Sequence, residues 1–117
     1  MIKQVKFLGI CVRDQERALD FYTQKLGFKL KTDHQRWIEL EIPGAETSVV
    51  LFTPQGQEDR IGTFVNASFA CDRLEETYDQ LKERGVEFST PPTEQPWGTF
   101  AIFKDPDGNS FVLSSAT

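Results

Sequence analysis

The apolar positions of this chain change their period several times, and each change marks an element. Val5–Val12 (VKFLGICV) is a short run of β-branched, aromatic and aliphatic residues, which predicts a strand. Asp14 then stands at a helix N-cap, with Glu16 in the first turn. Ala18, Leu19, Tyr22 and Leu26 recur at helical spacing behind it. Gly27 stops that helix as the residue just past its C-cap. Phe28–Lys31 leaves as a second strand, and Lys31 to Arg36 is polar and turn-like. Trp37–Ile42 alternates apolar with acidic residues as a third strand, Pro43-Gly44 breaks it, and Thr47–Thr53 (TSVVLFT) is the fourth.

Pro54 to Arg60, short and polar with Pro, Gly and several charges, reads as a linker. After it the pattern repeats. Thr63–Cys71 is a strand, Asp72 takes the place of Asp14, Leu74, Tyr78 and Leu81 mark a helix face, and Gly85 ends the helix. Asp14 to Gly27 and Asp72 to Gly85 are both thirteen residues apart. Val86–Ser89 follows as a strand and Pro91 to Trp97 as a loop. The chain closes on two apolar runs, Phe100–Phe103 and Phe111–Leu113, flanking Asp105-Pro106-Asp107-Gly108-Asn109. Proline with residues that tolerate positive φ is turn chemistry, so this stretch predicts a hairpin. Each half therefore reads strand–helix–strand–strand–strand, which points to an internal duplication. The expected fold class is α+β, with module 1 over about residues 1–54 and module 2 over about 61–117. Helices are expected near residues 15–26 and 73–84.

Composition narrows the picture further. At 117 residues this is one domain's worth of chain, and 38% apolar content with ten phenylalanines is enough for a core. The net charge of −5 and the lack of Lys/Arg clusters argue against nucleic acid. An acidic surface mildly favours a cationic ligand, though it more often serves solubility. No apolar run has the length of a membrane span, and Met1 to Val5 lacks the apolar region of a signal peptide. Cys11 and Cys71 lie in apolar strand-like segments and are expected as buried free thiols. A cytoplasmic location is the expectation that follows.

Val12-Arg13-Asp14, Ala18 through Tyr22, Leu26-Gly27-Phe28 and the Asp105–Asn109 turn, set within the duplication, resemble the vicinal oxygen chelate superfamily. That superfamily contains glyoxalase I, bleomycin and fosfomycin resistance proteins and extradiol dioxygenases. Arg36-Trp37-Ile38 and Gln95-Pro96-Trp97-Gly98 are similar to a subgroup of its small members. The resemblance spans the whole chain. It implies two βαβββ modules forming an open cup of mixed strands, a site on the concave face, and a homodimer whose modules pair within or between chains. It does not by itself select a reaction, because the fold hosts many chemistries.

Metal-dependent members carry His, Gln or Glu ligands on four strands, and the resemblance puts those positions at Phe7, Val50, Asn66 and Val112. Phenylalanine and valine cannot ligate, an Asn amide is a poor transition-metal ligand, and a one-residue slip adds only Lys6 as a polar side chain. No metal and no cofactor are therefore expected. His34, the sole histidine, reads as a solvated residue of a polar turn beside Asp33. Ser114 and Ser115 have no histidine to activate them. Glu39 and Glu41 share a strand face; two such carboxylates can supply a base or grip a cation, but more often they are simply a strand's solvent side. Arg36 suits either an anionic ligand or a plain surface position.

Strand parity adds Gly9 and Cys11 to the face of Phe7, Ser68 and Ala70 to that of Asn66, and Ser110 and Ser114 to that of Val112. The candidate ligand-binding residues are Phe7, Trp37, Glu39, Val50, Asn66, Ser68, Trp97 and Val112. This lining suits an apolar or aromatic small molecule, so the leading expectation is a metal-free, homodimeric binding protein of the bleomycin-resistance type. Two alternatives stand beside it. One is a lyase, isomerase or dioxygenase using Glu39 or Glu41, or a metal held elsewhere. The other is a filled cup, with the protein acting through its surface.

Overall fold

The computed structural model describes residues 1–34 and 36–115, which divide into two compact units at Gly62 and Thr63. In the first unit, β1 (Phe7–Cys11) leads into α1 (Gln15–Asp20), followed by β2 (Lys29–His34), β3 (Trp37–Glu41) and β4 (Ser48–Phe52). The sheet order is β1-β4-β3-β2, with β1 parallel to β4 and the other pairs antiparallel. Single backbone bonds prolong the β1–β4 pairing at both ends, Ser48 N–H to the Lys6 carbonyl and Val12 N–H to that of Phe52. Asp14 caps α1 as its sequence position predicts, its Oδ1 accepting the Arg17 N–H at 3.1 Å. The helix then widens into a π turn over Phe21–Lys25, with Leu26 N–H bonding the Phe21 carbonyl at 3.3 Å. Both Phe21 and Tyr22, adjacent in sequence, are buried there. Gly27, at φ 82°, turns the chain out of the helix.

The second unit repeats this plan with β5 (Phe64–Cys71), α2 (Leu74–Glu83), β6 (Glu87–Gln95), β7 (Gly98–Lys104) and β8 (Ser110–Ser115), in the order β5-β8-β7-β6. The end of α2 is a Schellman arrangement: Val86 N–H bonds the Leu81 carbonyl, Gly85 N–H bonds that of Lys82, and Gly85 sits at φ 90°. Tyr78 from α2 meets Phe88 edge-on at 4.6 Å. Behind it Phe103 contacts Phe88, Phe69 and Phe111 with ring centroids about 6 Å apart. The hairpin turn between β7 and β8 is held by Asp105. Its carboxylate accepts N–H bonds from Asp107 and Asn109 and the Asn109 side-chain amide, at 2.9–3.0 Å. Two four-stranded mixed sheets, each with one helix, make an α+β fold with no closed barrel. Among the described residues no helix is long and apolar enough to cross a membrane.

Three local expectations are corrected. Asp72 does not cap α2: the cap position falls on Arg73, with no side-chain cap bond, so the second helix starts one residue later relative to its aspartate than the first. Arg73 instead pairs with Glu76 at 3.3 Å. Pro91 to Gln95 is strand, not loop. β6 is an edge strand with two register shifts, where a proline's missing N–H costs no ladder bond. Lys31 to His34 is likewise strand rather than turn; β2 is an edge strand exposed along its whole length, so no apolar alternation announces it. Arg36 stays in the turn, and Gln35 lies outside the described residues. Both cysteines are free as expected, but Cys71 is only half-buried.

Candidate functional site

Residues paired across neighbouring strands project from the same face of a sheet. In the first unit Phe7 pairs with Ser48, Gly9 with Val50, Val50 with Glu39, Cys11 with Phe52, and Trp37 with His34. All of these side chains therefore share one face. The opposite face holds Ile10, Ile38, Leu40, Val49 and Leu51, all buried, and α1 packs against β4.

On the first face Phe7 and Trp37 meet edge-to-face, centroids 5.4 Å apart at 88°. They keep 38% and 43% of their surface exposed. Phe52 lies over Gly9, where an added Cβ would come within 3.0 Å of the ring; glycine is what admits it. Phe7, His34, Arg36, Trp37 and Phe52 line an open cleft of about 550 Å³. The Gln15 side-chain amide donates to the Arg36 carbonyl at 2.8 Å and to that of Leu51 at 3.2 Å, tying the turn that carries Arg36 to α1 and β4. Val50 is fully buried and supports this face without offering surface to a ligand.

Glu39 is not the solvent side of a strand. Its side chain is largely covered, it accepts the Ser48 hydroxyl at 2.7 Å, and Lys31 Nζ lies 3.7 Å away. The Ser48 bond chiefly, with the charge of Lys31 behind it, outweighs desolvation and holds the carboxyl below its ordinary range. A carboxylate so held stays ionised at neutral pH and is a weak base. Glu41, paired with Lys29, is the exposed member of the two.

In the second unit, Ser68 pairs with Val112 and Ala70 with Ser114, while Ile102 and Phe100 pair with Val112 and Ser114 from β7. These share the face turned away from α2, since Tyr78 of α2 rests on Phe88 of the other face. Ser68 and Ser114 join their hydroxyls at 2.5 Å. Asn66 is exposed, two residues before Ser68 on β5. Trp97, in the β6–β7 turn and 65% exposed, stacks on Phe100 at 5.5 Å and 27°.

The candidates thus fall into two groups: Phe7, Trp37, Glu39 and Val50 on one face of the first sheet, and Asn66, Ser68 and Val112 on one face of the second with Trp97 beside Phe100. Sequence reading missed Phe52, although it shares the parity of Val50, and set His34 aside as a loop residue. Its pairing with Trp37 across the β2–β3 hairpin is what brings His34 to the cleft. The residues at the family's four metal positions do not fit a transition metal. Three are a phenylalanine packed on a tryptophan and two valines, and the fourth offers only an amide. Among the described residues no three His, Cys, Asp or Glu side chains gather elsewhere into a metal-sized group.

With this geometry in view, the relatives are informative. Residues 4–113 match the model of the Glyoxalase/Bleomycin resistance protein/Dioxygenase superfamily. The uncharacterized protein YetH of Bacillus subtilis is 39% identical, over 97% of this chain and 98% of its own. A superfamily member from Sphaerobacter thermophilus superposes with a TM-score of 0.90 at 39% identity, covering 97% of this chain and 98% of that one. TnmS3, an antibiotic binding protein from Streptomyces sp. CB03234, superposes with a TM-score of 0.89 at 33% identity, covering 99% and 98%. Family model, relatives and fold agree: the chain belongs to the glyoxalase/bleomycin resistance protein/dioxygenase superfamily.

Proposed function

We propose that this protein is a metal-free small-molecule-binding protein of the bleomycin-resistance type, taking an aromatic ligand on the open faces of its sheets. The observation that carries the reading is the cleft of the first unit. Where a metal-dependent relative would place its first ligand, this chain has Phe7, set against Trp37 with Phe52 completing three aromatic walls. Apolar concave surface with a few polar groups is what holding a small molecule requires, and aromatic rings favour a flat partner. The low basicity of Glu39 favours binding over acid–base catalysis. Similarity to an antibiotic binding protein supports the same direction. Asn66, Ser68, Val112 and Trp97 are proposed as the second unit's ligand surface, with Asn66 as its polar anchor.

Homodimerisation is part of the proposal, because edge strands and exposed apolar residues such as Leu30 and Phe64 are what a symmetric partner covers. Calorimetry with a neutral flat probe, anthracenecarboxamide, tests the binding. Saturable one-to-one binding lost in Trp37→Ala is expected; no binding below millimolar concentration, or full affinity in that variant, would overturn it. Sedimentation showing only monomer at micromolar concentration would remove the dimer.

A further inference from the structure

We infer that the ligand of the first unit's cleft is an aromatic anion, a flat ring system carrying a carboxylate or comparably acidic oxygen that pairs with Arg36. This deepens the proposed binding function and rests on it. The walls and the rim of the cleft differ in kind. Phe7 and Trp37 stand at right angles, so a ring laid on one meets the edge of the other, and Phe52 adds a further aromatic wall. The rim is polar and carries no exposed acid: it is Arg36 together with His34.

The charges near the cleft differ in how they are engaged. Glu39, on the same face, is bonded by Ser48 and balanced by Lys31. Asp14 and Glu16 line a neighbouring depression with Arg36; Asp14 is engaged in capping α1, and among the described residues Glu16 makes no ion pair with Arg36. The Arg36 guanidinium has no ion pair among the described residues, while its backbone carbonyl is anchored by Gln15. The structure thus fixes where this cation stands and leaves its five N–H donors for something else. A guanidinium at the edge of an aromatic cleft is complementary to a flat acid, which it can grip through two parallel hydrogen bonds.

The net charge of −5 pulls the other way and would favour a cation. Its reach is limited, because at physiological salt charges beyond about 8 Å are largely screened. A guanidinium in contact with the ligand is not. Among the described residues that line the cleft itself, the formal charge is that of Arg36.

The test compares three probes of one shape, anthracenecarboxylate, anthracenecarboxamide and anthracenemethylamine, by calorimetry on the intact protein. The carboxylate is expected to bind about tenfold tighter than the carboxamide, and the amine weakest. In Arg36→Gln the advantage of the carboxylate over the carboxamide should disappear; Arg36→Lys should restore part of the difference. Because the anchoring bond is made by the Arg36 backbone, neither variant should lower the melting temperature. Equal affinity of carboxylate and carboxamide for the wild type, or an amine preference, overturns the inference while leaving the binding function standing. An advantage of the carboxylate that survives Arg36→Gln overturns the role of Arg36. If none of the probes binds, the binding function and the inference fall together.

Discussion

On its helix side, the first unit buries aliphatic residues of β1, β3 and β4, whereas the second packs a chain of phenylalanine rings from Phe69 to Phe88 with Phe103 and Phe111 buried at its centre. The open faces differ in another way. The first presents an aromatic cleft, a carboxylate held by Ser48 and an arginine at the rim; the second presents small hydroxyls, one exposed amide and a tryptophan stacked on Phe100. Strand order, parallel closing pair and glycine helix stop are common to both. Topology is thus satisfied by any apolar set that fills the helix side. The opposite faces keep more of their side chains exposed, and there the two copies present different surfaces.

The largest effect should come from the helix side. Phe103→Ala removes the ring that touches Phe69, Phe88 and Phe111, and is expected to cost about 3–5 kcal/mol in urea denaturation. A cost near zero would mean that this ring cluster is not the second unit's core. Asp105→Ala should follow at about 2–3 kcal/mol, because it strips three hydrogen bonds from a turn whose Asn109 is buried. The corresponding β3–β4 turn of the first unit is closed by a backbone bond from Ala45 N–H to the Ile42 carbonyl, so this side-chain sensitivity should appear in the second unit.

Substitutions on the open faces should spare stability and change binding. Trp37→Ala is expected to weaken the anthracene probes about tenfold, and Trp97→Ala about threefold or less, since only the first lines the cleft. Equal losses would make the two surfaces equivalent and end the distinction drawn between them. Asn66→Leu should cost a polar ligand of the second face about 1–2 kcal/mol. Its melting temperature should stay unchanged, because the side chain is exposed.

The smallest effect concerns pH. The folded-state pKa of Glu39 lies below its ordinary value of 4.5, so this group stabilises the fold fully above that value. That contribution is lost as the pH falls through the lowered native pKa. Wild type should therefore lose up to about 1 kcal/mol more than Glu39→Gln between neutral and acid pH. Identical acid profiles in denaturant titrations would show that the Ser48 bond adds nothing to stability.

Local chemistry was legible in the chain alone. Asp14 caps its helix, Gly27 and Gly85 end theirs, and the Asp105–Asn109 run turns a hairpin, because each depends only on residues a few positions away. The duplication was visible for the same reason. Register and edges were not. The later parts of β2 and β6, beyond Lys31 and Ser89, escaped notice because an edge strand exposed to solvent, or carrying Pro91 and Pro92, has no apolar alternation to display. Glu39 looked like half of a solvent-facing pair until β4 placed Ser48 beside it. The cleft itself draws Phe7, His34, Arg36, Trp37 and Phe52 from separate strands and a turn. Their neighbourhood is set by the pairing of β1 with β4 and of β2 with β3, and pairing between distant segments is decided by packing of the whole sheet rather than by any local run of residues.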